Sequence, residues 1–206
     1  VTAQHTIAPL GASDVEAIAA LHKRAFPTFF LSSLGERFLV QFYRGFLSDP
    51  TAVTVVARSA DGAPVGAVVG TTEPSGFFLR LLRRRWLGFA LASAAAVLRR
   101  PAAAPRLLNA VRYRGEAGSR VEGALLSSVC VDPGLQGQGV GRDLLAAWEA
   151  RAAQQGASAA YLTTDADGND AVNAFYRARG WHLADTFATA QGRRMNRYEK
   201  RLDPTP

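Results

Sequence analysis

Ser127-Ser128-Val129-Cys130-Val131-Asp132-Pro133-Gly134-Leu135-Gln136-Gly137-Gln138-Gly139-Val140-Gly141-Arg142 is the stretch on which the fold turns. Leu125 to Val131 has the apolar, β-branched composition of a buried strand, and Asp132-Pro133-Gly134 closes it as a turn. Glycine then stands at 137, 139 and 141, directly before a helix predicted over 142–155 with Leu144, Leu145, Trp148 and Ala152 facing inward. Glycines let backbone N–H groups converge without Cβ interference, and a helix N-terminus adds partial positive charge. The combination suits a phosphate or pyrophosphate, although a tight strand-to-helix turn alone would also use glycine.

Two common phosphate loops do not fit. A P-loop needs Gly-Lys-Ser/Thr, and the only lysines are Lys23 and Lys200. A dinucleotide fingerprint would place its third glycine at 142, which is Arg142. What remains is Gln136-x-x-Gly139-x-Gly141. A second block, Asn169-Asp170-Ala171-Val172-Asn173-Ala174-Phe175-Tyr176-Arg177-Ala178-Arg179-Gly180-Trp181, follows it. Together, in this order and each beside a strand, they resemble the GNAT superfamily of acyl-CoA N-acyltransferases. That family's loop reads Gln/Arg-x-x-Gly-x-Gly/Ala and its second segment Asn-x6-Tyr-x3-Gly-Phe, so Trp181 is a departure. The resemblance is firm over 125–181, consistent with the family layout over 2–72, and absent over 76–121.

The resemblance implies an α/β (α+β) fold: a central mixed sheet flanked by helices, here one domain over 1–206 with a basic helical insertion at about 76–121. It implies acetyl-CoA as co-substrate, a primary amine on a small molecule as acceptor, direct transfer in a ternary complex, and no metal. The cofactor's pantetheine arm would lie in a splay beside Val129, Cys130 and Val131. Its pyrophosphate would take N–H groups across Gly137, Gln138, Gly139, Val140, Gly141 and Arg142, with Gln136 as the motif's first cofactor-binding residue. Asn169, and less closely Asn173, would hold the pantetheine side, and Tyr176 would protonate the departing thiolate. A backbone N–H near Val129 would serve the oxyanion. Many members carry a glutamate base where this chain has Thr164, which leaves Glu73, Asp165, Glu122, His22 or ordered water for that task. A non-catalytic acyl-CoA-binding or membrane-associated module on the same fold is the alternative, and retention of Tyr176 favours the enzyme.

Composition agrees with a globular chain. The 206 residues are 48% hydrophobic and 20% charged, and Cys130 is the single cysteine, which excludes an internal disulfide and any multi-cysteine metal site. Three scattered histidines argue against a His-built centre. No apolar run is long enough to span a bilayer and the first residues lack signal-peptide form, so the default expectation is a soluble cytoplasmic protein.

The net charge of +7 is unevenly placed. Residues 76–121 hold ten arginines (80, 83, 84, 85, 99, 100, 106, 112, 114 and 120) against Glu116, while the remainder is near neutral. Three uses compete for this insertion: packing against the body or a second subunit with solvated arginines, an anionic membrane surface, or a lid whose arginines meet the CoA phosphates or a negatively charged acceptor such as an amino-sugar nucleotide. The lid is the functional choice, a membrane contact is not favoured, and nucleic acid is set aside because no recognition motif accompanies the arginines.

Elsewhere, residues 2–9 read as a strand, Ser13 and Glu16 as a capping box opening a helix that ends before Pro27, and 33–47 as a helix with Phe38, Leu39, Phe42 and Phe46 inward. Residues 51–58 and 63–72 form a predicted hairpin, with further strands at 159–164 and 193–202 and a helix at 170–179. The insertion is expected to be mostly helical, broken at Pro101 and Pro105, with a polar end at 115–119.

Overall fold

Near-continuous apolar runs, buried on both faces, build the central strands, and apolar spacing of three and four residues builds the helices that cover them. The computed structural model describes residues 5–99, 122–189 and 192–202. The expected breaks at Pro101 and Pro105, the polar end at 115–119, and the arginines at 100, 106, 112, 114 and 120 lie outside the described residues. In chain order the elements are β1 (His5–Ala8), α1 (Val15–Ala25), α2 (Phe30–Ser33), α3 (Glu36–Leu47), β2 (Ala52–Ser59) and β3 (Pro64–Thr71). Then come α4 (Phe77–Arg84), α5 (Trp86–Arg99), β4 (Ala124–Val131), α6 (Val140–Gln154), β5 (Ala159–Asp165), α7 (Asp170–Arg177), β6 (His182–Ala188) and β7 (Arg194–Arg201).

The strands form one sheet in the order β1-β2-β3-β4-β5-β7-β6. Every neighbouring pair is antiparallel except β4 and β5, so the sheet is mixed, as the sequence implies. Helix α6 covers one face, burying Leu144, Leu145, Trp148 and Ala152 against Val53, Val55 and Val68. It can sit this low because β3 offers glycine. A Cβ on Gly66 would lie 2.8 Å from the Leu144 side chain, and one on Gly70 2.5 Å from the Trp148 ring. Helices α1 and α3 cover the other face through Ile18, Leu21, Leu39, Phe42 and Phe46, which close over Val56, Ala67 and Val69.

Several boundaries differ from the sequence reading. The capping box at Ser13 and Glu16 does not form. A 3-10 turn (Ala12–Asp14) leads into α1, and the carboxylate of Asp14 accepts the Gly11 N–H at 2.8 Å and pairs with Arg58 at 2.7 Å. Tying the turn to β2 uses the one side chain that faces inward there. The helix expected over 33–47 starts at Glu36 instead, because Gly35 (φ +89°) stands before it as the N-cap and separates it from the short α2. Strand β6 was not expected: it pairs only with β7 at the edge, and its side chains are almost all exposed, so no buried face imposes alternation.

The described part of the insertion packs on α3. Phe77 meets Phe46 with ring centroids 4.8 Å apart, Phe38 meets Phe89 at 5.0 Å, and Leu81 occupies the space left by the missing side chain of Gly45. Arg80 and Arg84 keep contact with water but are also anchored: both reach the buried Asp49 carboxylate, at 3.1 and 3.4 Å.

Candidate active site

Strand β4 is irregular where the chemistry was expected. Against β3, Val69 faces Ser128 but Gly70 faces Leu126, so Ser127 is an extra, bulged residue. One consequence is visible in the core. Leu126 and Cys130 are an even number of residues apart, yet Leu126 joins the α6 face and Cys130 the α1/α3 face. On its other edge β4 pairs with β5 at Ala124↔Ala160 and Leu125↔Tyr161 and, among the described residues, nowhere further. From the bulge through Val129, Cys130 and Val131 the two strands part, leaving backbone groups on that edge without a ladder partner.

The glycine loop stands at the mouth of this gap. The Asp132 carboxylate accepts the Gly134 N–H at 2.9 Å and the Arg24 guanidinium at 3.0 Å, and these donors hold its pKa below the usual carboxylate range. Gln136 is extended, and the Gln138 amide donates to the Gly134 carbonyl at 3.2 Å, bracing the loop. Gly137 (φ +77°) and Gly139 (φ +91°) adopt a backbone that L side chains rarely take, with Gly139 as the N-cap. Helix α6 starts at Val140, two residues earlier than predicted, so Val140, Gly141 and Arg142 form its first turn with N–H groups that lack intrahelical acceptors. Arg142 is exposed and its side chain pairs with Asp143 at 2.8 Å.

Helix α7 closes the far side. Phe175 and Val131 converge on Gly141, where a Cβ would sit 3.6 Å from each, so α7, β4 and the loop meet at one point. Asn169 donates to Thr164 Oγ1 at 2.8 Å, and its Oδ1 has no partner among the described residues. Asn173 is different. Its Nδ2 donates to the carbonyls of Asp165 (3.0 Å) and Asn169 (2.8 Å), and its Oδ1 accepts from Asn196 (2.9 Å) and Tyr198 (3.0 Å). Both ends of that buried amide are used inside the protein.

Tyr176 is 7% exposed, among Phe175, Trp181 and Tyr198. Its hydroxyl has no hydrogen bond among the described residues, and burial pushes its pKa well above the ordinary phenol value, so the group holds its proton at neutral pH. Trp181, where the resemblance leads one to expect phenylalanine, finds a use for its indole N–H, which donates to Glu149 on α6 at 2.8 Å.

The four candidate bases occupy unlike positions. Asp165 is clamped by Arg193, and Glu73 and Glu122 are exposed. His22 is buried beneath β4, with Nδ1 2.8 Å from the Tyr43 hydroxyl, which in turn lies 3.6 Å from Cys130 Sγ. Burial lowers His22 to about 4 and raises Cys130 to about 11, so the imidazole is neutral and the thiol protonated at pH 7. Sequence reasoning missed this cluster, because no local pattern links α1, α3 and β4.

Comparison with known proteins gives the same arrangement a family. The family model described as Acetyltransferase (GNAT) family matches residues 15–181. No curated protein sequence matches. Among solved structures, SsHAT superposes with a TM-score of 0.69 at 19% identity, over 97% of this chain and 99% of that one. Ard1 from Thermoplasma volcanium gives 0.61 at 16% identity, over 98% and 99%. PaiA N-acetyltransferase from Thermoplasma acidophilum, in complex with coenzyme A, gives 0.60 at 13% identity, over 96% and 99%. These likenesses carry the fold, and the family match, spanning the parted strands, the glycine loop and the Asn169–Trp181 segment, carries the membership: the chain belongs to the GNAT family and is an acetyltransferase.

Proposed function

We propose that the chain moves an acetyl group from acetyl-CoA to a primary amine of a small-molecule acceptor, by direct attack in a ternary complex. The observation that carries this reading is the parting of β4 from β5 beyond Leu125, with the N-terminus of α6 at the mouth of the gap. An extended pantetheine arm would take the place of the missing strand, bonded to backbone groups of Val129, Cys130 and Val131. The 137–142 amides would hold the pyrophosphate, and positive φ at Gly137 and Gly139 supports that fit. Asn169, with a free carbonyl oxygen, would accept a pantetheine amide, whereas the amide of Asn173 is engaged elsewhere and acts by holding α7 in place.

In the reaction the amine nitrogen bonds to the thioester carbonyl carbon, whose oxygen becomes an oxyanion facing β4 backbone N–H groups near Val129. The C–S bond then breaks and sulfur leaves with its electron pair. Tyr176, which holds its proton at neutral pH, would give it to the leaving sulfur, and the proton that the nitrogen sheds as the amide forms would return through water to the Tyr176 oxygen, so that the products are the amide and the CoA thiol. Tyr176→Phe tests the assignment through CoA release with acetyl-CoA and a panel of amines. The expected result is a fall in kcat of about a hundredfold or more with KM for acetyl-CoA unchanged; unchanged turnover would remove the acid role.

A further inference from the structure

Helix α5 breaks a rule that surface helices obey. Its inner side packs on α3 through Phe89 and buries Ala92, while its outer side carries Trp86, Leu87, Ala90, Leu91 and Ala94, all exposed. A helix that is apolar all round belongs in a core or against a lipid phase. Trp86 is 61% and Leu91 72% exposed, and with Phe78, Leu79 and Leu87 they make up five of the eight exposed large hydrophobic side chains among the described residues. These five fall within fourteen consecutive residues. The platform under them is firmly attached, through Phe77, Leu81 and Phe89 and through Arg80 and Arg84 on Asp49.

Charge says what the face is for. From Pro74 to Gly115 the chain has no acidic residue. On the face itself, Arg83 is exposed and the terminal nitrogens of Arg85 have no partner among the described residues, its Nε alone being taken by Gln41 at 3.0 Å. At the elbow between α4 and α5, an open groove of about 340 Å³ is lined by Gln41, Arg84, Arg85, Trp86, Leu87 and Gly88, setting guanidinium groups beside an indole and a leucine. That is the chemistry of a phosphate at the edge of a hydrocarbon layer. A second copy of the chain fits poorly, because a twofold contact would set arginine against arginine. Nucleic acid would leave the leucines in water. Among the described residues no helix is long and apolar enough to cross a membrane, so the contact is with its surface.

We propose that α4 and α5 form a docking surface for an anionic lipid bilayer, with Phe78, Leu79, Trp86, Leu87 and Leu91 entering the headgroup–acyl boundary and Arg83 and Arg85 meeting lipid phosphates. The proposal is independent of the acyl-transfer reading, since none of these residues belongs to the β4–β5 gap, the glycine loop or α7.

The chain carries its own reporter. Trp148 and Trp181 are fully buried, so a change in tryptophan emission on adding vesicles reports Trp86. The full chain is mixed with vesicles of phosphatidylcholine alone, or of phosphatidylcholine with phosphatidylglycerol, then sedimented and its emission recorded. Co-sedimentation, a blue shift and quenching by brominated lipid are expected with the anionic vesicles only, all weakened by salt. Trp86→Ser and Leu91→Ser should each lower the partition coefficient by about tenfold or more, and Arg83→Gln by about fivefold. Circular dichroism confirms that the variants are folded, and quenching of the unaltered chain reads the contact without any variant. Failure to bind anionic vesicles, equal binding to both kinds, or indifference to all three substitutions overturns the proposal. So does a dimer in light scattering that Leu91→Ser disperses, or a Trp86 emission already blue-shifted without vesicles.

Discussion

Asn173→Ala separates holding the helix from holding the substrate. The side chain makes four hydrogen bonds inside the protein, two as donor to the Asp165 and Asn169 carbonyls and two as acceptor from Asn196 and Tyr198. Each such bond contributes about 1 kcal/mol net, and a buried partner left unsatisfied costs about 1–3 kcal/mol. Tyr198 is fully buried and Asn196 nearly so, and a single water entering the small void could restore part of the loss. The expected destabilisation is therefore about 3 kcal/mol, a large share of the ~5–15 kcal/mol that stabilises a typical domain. Urea titration should show it as a lowered midpoint at unchanged m-value, and scanning calorimetry as a fall in Tm of about 6–12 °C. Below the new transition, KM for acetyl-CoA should stay within about twofold, because no atom of the amide is free to touch a ligand. A variant as stable as the parent whose KM for acetyl-CoA rises tenfold would refute the argument.

His22 gives a pH signature with a definite sign. Its pKa falls from 6.5 in the unfolded chain to about 4 in the folded one, so the unfolded state binds the extra proton; stability is full above pH 6.5 and declines by about 3 kcal/mol as pH falls to 4. His22→Gln should flatten that part of the stability–pH curve in urea titrations, and an unchanged slope would show that the decline comes from carboxylates. Gly139→Ala forces a methyl group onto a backbone with φ +91° and should weaken acetyl-CoA binding and lower Tm. Gly141→Ala meets only ordinary contacts at 3.6 Å inside a helix, so Tm should hold or rise; a weaker Kd for CoA by calorimetry would then report the close approach of the ligand to that backbone.

The parts legible in the sequence are those where one local rule decides the outcome. The α6 stripe, the hairpin of β2 and β3, and the turn at Asp132 each follow from spacing or from a residue with few conformational options. The glycine loop was legible because positive φ at 137 and 139 leaves few alternatives to glycine. What escaped depended on contacts between distant segments. Ser127 is a bulge only because β3 skips it, and nothing in Leu-Leu-Ser-Ser-Val marks that. Asn173 and Asn169 look alike in sequence, and only Asn196 and Tyr198, more than twenty residues away, assign one to the core. Asp49 drew in Arg80 and Arg84 across some thirty residues, which turned part of an apparent charge run into an anchor. Strand β6, with water on both faces, had no burial to write itself into the pattern.

The two rungs that join β4 to β5 carry a consequence for the economy of the whole molecule. They divide the sheet into two leaves, β1 to β4 and β5 to β6, each with its own hydrogen-bonded integrity and a weak seam between them. Anything that lies along the seam and bonds to both edges works as a removable eighth strand. Its binding energy then becomes folding energy, growing with the logarithm of its concentration, and the seam should be the first place to exchange its amide hydrogens when it is gone. Such a chain would be sturdiest in cells rich in its acyl donor and most open to proteolysis when that donor runs low.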